Sequence, residues 1–361
     1  MIYMFKSIPG LLLCFIVATI GFVASDFIGK DLLGFEKSPI SSIVLSILLG
    51  MLIANLINLK ESFNAGFNIS LKYILKFGII CLGIRLGLSD IARIGFLGLP
   101  VVISCIVFTL LLVNYLSKLL NVESKLAALI AVGTSICGAT AIVATGPVIK
   151  AKKEEITYAI ANITIFGIIA MLVYPFLAHY LFLGNDQSIG LFLGTAIHET
   201  AQVAGAGLIY AQQFDSPQTL DFATVTKLVR NVSMIIVIPL MGYLYLSNEE
   251  KKTGSSFSIF SVFPLFILGF ILLGLIRTFG DYSIANEQRA LFFLDETSWL
   301  ATINSIKLIA EVSLGIAMSA VGLSTKLSSL RELGVKPFYV GFIAAFCVGV
   351  ISFIGVNLFV I

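Results

Sequence analysis

The chain is a succession of apolar runs, each about 20 residues long, separated by short polar connections. At 1.5 Å per residue such a run matches the roughly 30 Å hydrocarbon core of a bilayer as a helix. It does not match the roughly 10-residue alternating segments of a membrane barrel. In lipid every backbone N–H and C=O must find a partner within the protein, so apolar runs of this length are read as helices. Composition closes off the soluble alternative. Of the 361 residues 58% are hydrophobic and 12% charged, where a soluble domain carries about a quarter charged residues. The expected fold is an all-α membrane protein of about 10–11 transmembrane helices.

The runs fall at about 9–28, 40–58, 72–89, 97–117, 126–148, 155–182, 188–210, 224–246, 257–276, 300–324 and 337–360. With no soluble insertion, residues 1–361 read as one polytopic membrane domain, its first half at about 40–182 and its second at about 188–360. The stretch from Leu11 to Val23 after Lys6 reads as a first membrane helix rather than a signal peptide. The polar connection from Thr278 to Ser298 contains Leu291-Phe292-Phe293-Leu294, which predicts a short helix lying at the interface. A net charge of +3 leaves no basic stripe for nucleic acid. The five cysteines lie inside apolar runs at spacings that suit neither a disulfide framework nor a zinc site, and no metal or cofactor is expected.

Positive residues favour the cytoplasmic side, and Lys150, Lys152 and Lys153 are the densest basic cluster. Counting spans from there puts Arg93 inside, the N-terminus outside, and the Glu249-Glu250-Lys251-Lys252 loop outside. The two lysines of that loop conflict with its side, so a span near 188–210 that does not fully cross is an alternative.

Two internal similarities suggest inverted repeats, a hallmark of secondary transporters. Arg85-Leu-Gly-Leu-Ser-Asp-Ile-Ala-Arg-Ile-Gly resembles Val321-Gly-Leu-Ser-Thr-Lys-Leu-Ser-Ser-Leu-Arg-Glu-Leu-Gly, each at the end of a glycine-rich apolar run. Gly133-Thr-Ser-Ile-Cys-Gly-Ala-Thr-Ala resembles Gly194-Thr-Ala-Ile-His-Glu-Thr-Ala. Close helix packing through small residues is the structural alternative for both.

The Gly-Thr segments are also where helices would break. Glycine weakens the helix and hydroxyls satisfy freed backbone groups, so an interruption there would aim a positive helix end at the membrane centre. Thr134, Ser135, Cys137, Gly138, Thr140 and Thr195 are therefore candidate substrate-binding residues. His198 and Glu199 lie in the most polar run of any span, and ionisable groups at that depth are costly. They are candidates for proton coupling, against the plainer reading of a pair that satisfies itself. A zinc-protease reading fails because Gln202 stands where the second histidine would be. Lys227, Arg230 and Asn231 share a helix face. Arg230 and the lone cation Arg85 suit an oxyanion or carboxylate, and Lys227 either joins them or extends to the headgroups. Lys307 and Glu311 read as a structural ion pair, and Asn162 as a hydrogen bond to a neighbouring helix.

Gly133-Thr-Ser-Ile-Cys-Gly-Ala-Thr-Ala, Pro147-Val-Ile-Lys-Ala-Lys-Lys-Glu-Glu155, Gly194-Thr-Ala-Ile-His-Glu-Thr-Ala-Gln-Val203 and Thr226-Lys-Leu-Val-Arg230 together resemble the YeiH-like family, whose members are labelled sulfate exporters. The likeness runs from about residue 40 to the C-terminus. It implies a multi-pass protein of the bacterial inner membrane. The family's own similarity to cation/proton antiporters and bile-acid transporters implies crossed, discontinuous helices.

The expected function is secondary transport of a small anion, sulfate or a related sulfur oxyanion or sulfonate, coupled to protons. The chain has no Walker-type phosphate loop to give it direct ATP drive. A cation/proton antiporter using Glu199 is the alternative, with an intramembrane enzyme or sensor behind it; the chain is not expected to be an enzyme. The expected partners are the small anion, membrane lipid and, as an open alternative, a second copy in a homo-oligomer, with no nucleic acid.

Overall fold

A computed structural model of the chain describes residues 2–32, 38, 40–245, 263–287, 289–291, 293–325 and 335–360. The helices are α1 (Ile2–Asp26), α2 (Ser42–Leu56), α3 (Asn64–Ile69), α4 (Leu75–Leu82), α5 (Leu88–Leu120), α6 (Ser124–Ser135), α7 (Ala139–Val148), α8 (Lys153–Leu181), α9 (Asp186–Ala196), α10 (Thr200–Phe214), α11 (Pro217–Val232), α12 (Met234–Tyr245), α13 (Phe266–Glu287), α14 (Glu296–Leu323) and α15 (Val335–Phe359). Eight helical stretches among the described residues are long and apolar enough to cross a membrane. Three of these are composite: Ser7–Leu32 runs from α1 into a π segment, Glu61–Arg85 through α3, a π segment and α4, and Pro217–Tyr245 through α11 and α12. The protein is a multi-pass, all-α membrane protein. Among the described residues these eight candidate spans, together with shorter apolar helices, take up the apolar runs of the sequence.

The chain divides into two compact units, each assembled from separated stretches: Met1–Arg93, Gly207–Asp221 and Leu265–Leu327 in the first, and Ile94–Ala206, Phe222–Pro264 and Ser328–Ile361 in the second. In the first unit α2 lies tightly against α14. A Cβ on Gly50 would stand 2.8 Å from Ser319 O and 2.9 Å from Leu323 N, so the backbones meet where side chains normally keep them apart. The composite α3–α4 helix runs antiparallel to α14. Phe67 clusters with Ala320 and Leu323 near one end, and Gly78 faces Ser313 and Leu314 further along. This is the opposed direction expected of the first repeat pair, although residues 326–334 of its second copy lie outside the described residues.

The expected interfacial helix at 291–294 is absent among the described residues there. Arg289–Ala290 and Leu294–Asp295 form a two-residue antiparallel ladder, β1 and β2. Ala290 is buried against Ile84, Trp299 and Ile303, and the Trp299 indole donates to Asp281 Oδ1 at 2.9 Å. Four residues are too few to close a helical turn and cap it, whereas a tight turn buries Ala290 at once. Beyond this turn, the Ser298 and Thr297 side chains hold the Asp295 carboxyl below its usual range.

In the second unit the segment read as one crossing at 126–148 is two helices and a break. At 1.5 Å per residue, the 12 residues of α6 and the 10 of α7 reach about 18 and about 15 Å, half of a bilayer core. They fold back on each other: Lys125, at the start of α6, donates from Nζ to Lys150 O, just past α7, at 3.1 Å. The pair is a re-entrant hairpin that leaves the membrane on the side it came from. Its two ends, with Lys118 near the end of α5, make a lysine-rich corner, and Asn162 of α8 donates to Pro337 O of α15 at 3.1 Å.

Candidate functional site

The α6–α7 hairpin turns at Ile136-Cys137-Gly138. Ile136 N closes on Val132 O at 3.0 Å and Gly138 N on Gly133 O at 3.0 Å. Gly138 has φ 68° and ψ −131°, a conformation that a Cβ would strain. A Cβ there would also strike the Glu199 side chain.

A second hairpin tip lies at Ile197-His198-Glu199. The 11-residue α9 spans about 16 Å and stops with Ile197 extended, at ψ 141°. Glu199 begins α10: Val203 N donates to Glu199 O at 2.9 Å, and Gln202 Oε1 reaches back to accept from Glu199 N at 3.2 Å, one half of a capping box. The direction of α10 follows from its neighbour. It runs antiparallel to α11, with Asn231 on Thr200 at one end and Leu220 beside Gly207 towards the other. The α11–α12 crossing ends at Tyr245, which lines a polar pocket of about 280 Å³ with Asn114, Lys118 and Ser124 at the lysine-rich corner. α10 therefore ends on the far side, and α9 begins there too, because α8 leaves the corner at Lys153 and crosses before it. The second hairpin is re-entrant from the opposite side of the membrane. The alternative of a 188–210 run that does not fully cross fits these two short helices, and the expectation of discontinuous helices is met.

Two buried cations hold the tips together. Lys227 Nζ donates to Ile136 O at 2.8 Å, to Ile197 O at 3.0 Å and to His198 O. Arg230 donates from Nε to Ser135 O at 2.7 Å, from Nη1 to Thr195 O at 2.6 Å and Ile197 O at 3.0 Å, and from Nη2 to Thr134 O. Both side chains are 0% exposed. The reason is electrostatic: α6 and α9 each bring the negative end of a helix, with unpaired carbonyls, into the protein centre, and α11 supplies two positive charges to both. The positive ends receive the opposite treatment. Ala139 N, the first amide of α7, donates to Glu199 Oε1 at 3.2 Å, and the Thr164 hydroxyl of α8 donates to the same oxygen at 3.4 Å.

The sequence-selected residues thus divide. Thr134, Ser135, Cys137, Gly138, Thr195, His198, Glu199, Lys227 and Arg230 meet at the two tips. Thr134 and Ser135 contribute backbone carbonyls, and the Ser135 hydroxyl turns to Val132 O at 3.4 Å in its own helix. The Thr195 hydroxyl bonds Leu191 O and Ser352 Oγ, each at 2.6 Å. Cys137 Sγ lies 3.2 Å from Met234 Sδ. Thr140 is exposed on α7. Lys227 spends all three of its N–H groups on carbonyls and Arg230 at least four of five, so both act here as charge more than as free donors. Arg85 belongs to the first unit. It makes a two-pronged pair with Asp221, Nε to Oδ1 at 2.5 Å and Nη2 to Oδ2 at 3.1 Å, and donates to Pro217 O at 3.0 Å.

Sequence reasoning did not single out Asp221 or Thr164, and it named Gln202 only as the residue that rules out a second zinc-binding histidine. Asp221 was lost because the apolar run was begun at 224 whereas α11 begins at Pro217. Among the described residues no group of three or more His, Cys, Asp or Glu is placed to hold a metal ion.

Two helical hairpins that dip in from opposite sides, their tips pinned together within the second unit, define a polytopic membrane protein of inverted-repeat architecture. A profile described as "Conserved hypothetical protein 698" matches residues 9–341. The chain is 33% identical to the UPF0324 membrane protein FN0533 of Fusobacterium nucleatum, over 96% of each chain. It is equally identical to SAG1125 of Streptococcus agalactiae, over 96% of this chain and 95% of that one, and to a UPF0324 membrane protein of Streptococcus mutans, over 93% of both. The chain belongs to this family, the UPF0324 membrane proteins, which is the YeiH-like family of the sequence resemblance.

Proposed function

We propose that the protein is a secondary transporter of the bacterial inner membrane that carries a small anion, sulfate or a related sulfur oxyanion or sulfonate, with protons coupled through His198 and Glu199. The observation that carries this reading is the pair of opposed hairpin tips joined at a buried cluster of two fixed cations and one carboxylate. With Lys227 and Arg230 fully buried, the cluster is left electropositive. An electropositive centre reached by broken helices from both sides is suited to an anion that must be met from either side in turn. The sulfur-oxyanion cargo comes from the YeiH-like resemblance, and the family name itself speaks only of a membrane protein. The reading assigns the chain no bond-making chemistry.

Flux in proteoliposomes tests it. Sulfate or sulfonate uptake driven by a pH gradient is the expected result. Proton movement driven by sodium and indifferent to anions would replace the reading with its rival, a cation/proton antiporter. That rival has one observation in its favour: Glu199 is a half-buried carboxylate standing at the joint of the two hairpins.

A further inference from the structure

Glu199 is the one acidic side chain among the described residues that touches the hairpin tips, and the manner of its contact is informative. Its Oε1 occupies the first amide of α7, Ala139 N, together with the Thr164 hydroxyl, at the positive end of a helix and beside the Lys227 ammonium. Those are the donors an external anion would use. The cations cannot offer better ones: Lys227 has no N–H left, and Arg230 at most one. A second buried polar group at the tips is left unsatisfied. His198, the preceding residue, is 1% exposed and its Nδ1 has no hydrogen-bond partner, in a place where an unpaired polar atom is costly.

Resting on the anion-transport reading above, we infer that the Glu199 carboxylate is a tethered stand-in for the transported anion, and that carboxylate and anion take the Ala139 amide and Thr164 hydroxyl in turn. Two anions about 4 Å apart at an effective dielectric constant of about 20 repel strongly enough to suppress joint occupancy by about a thousandfold. The anion therefore displaces a neutral Glu199. Protonation removes the carboxylate's claim on the donors, the neutral side chain swings away, and the anion sits down. One proton is bound for each anion bound, and the cluster stays close to neutral: sulfate with Lys227, Arg230 and a protonated Glu199 sums to zero. The groups facing Glu199 are Ala139 N of α7, Thr164 of α8, Gln202 of its own helix, Lys227 of α11, and Cys137 at the other tip. None of these is a second carboxylate that could take over the proton.

The test is calorimetric titration of the purified full-length protein with sulfate, sulfite, isethionate and acetate, between about pH 5 and about pH 8. The wild type should lose affinity about tenfold per pH unit once the carboxyl ionises. Glu199→Gln and Glu199→Ala, whose side chains are neutral at every pH, should hold the low-pH affinity across the whole range. The second variant guards against the first failing to fold, and both are checked for monodispersity and helix content. A pH slope retained in both variants, or a flat wild type, overturns the inference and leaves the anion reading intact. No binding of any of the four anions to any protein at any pH removes the anion reading and the inference with it.

Discussion

At the residue scale, two ion clusters show opposite solutions to the same problem, a charge that lipid will not solvate. Lys227 and Arg230 are balanced by carbonyl dipoles, whereas Arg85 is balanced by a full carboxylate. The Arg85–Asp221 pair is nearly buried, its side chains 10% and 11% exposed. Removing one partner of such a pair strands the other, which typically costs about 3–5 kcal/mol, while replacing both with apolar groups is often neutral. Asp221→Asn should therefore lower the melting temperature in detergent markedly, and Arg85→Met with Asp221→Leu should restore most of it. If the double variant melts as low as Asp221→Asn, the pair is not a self-contained structural unit, and Arg85 has a further partner in the first unit, Pro217 O aside.

At the element scale, the hairpin tips were legible in the sequence, the second hairpin only as an alternative to a full crossing, and the first not at all. Gly138 has the backbone that only glycine adopts without strain, and the repeated Gly-Thr-x-Ile pattern sets Thr134 and Ile136 against Thr195 and Ile197, whose carbonyls Arg230 and Lys227 bridge in the structure. A run from 126 to 148 has the same length and apolarity whether it crosses once or goes halfway and returns. Hydropathy records length, not direction, and the reversal rests on one turn and one contact, Lys125 with Lys150. The tip also yields a sharp test. Ala139 is the first residue of α7, the position where proline is best tolerated because its amide has no partner within the helix. Ala139→Pro should leave the fold intact and delete only the donor shared by Glu199 and, by the inference above, the anion. Sulfate affinity at low pH should then fall roughly 10- to 100-fold, the worth of one hydrogen bond to a charged group. An unchanged affinity in a folded variant would take the α7 amide out of the anion site.

At the scale of the whole molecule, the re-entrant hairpins change the membrane topology that the span count implied. Counting 126–148 as a crossing placed Arg93 on the same side as Lys150, but Arg93 lies near the opposite end of α5 from Lys118, which shares the lysine-rich corner with Lys125 and Lys150. The Glu249-Glu250-Lys251-Lys252 loop, whose lysines conflicted with the side given by the span count, lies outside the described residues. Single cysteines read the arrangement directly. Four of the five natural cysteines are buried and the fifth is half-buried, which keeps the background low for a membrane-impermeant maleimide. Ser124→Cys and Lys152→Cys, at the two ends of the first hairpin, should label from the cytoplasmic side together. Leu183→Cys, 93% exposed between α8 and α9, and Gln218→Cys, at the start of α11, should label together from the opposite side. Labelling of Ser124 and Lys152 from opposite sides would return α6–α7 to a simple crossing. The tips would then no longer approach from opposite sides of the membrane, and the alternating-access reading of the cation cluster would lose its structural basis.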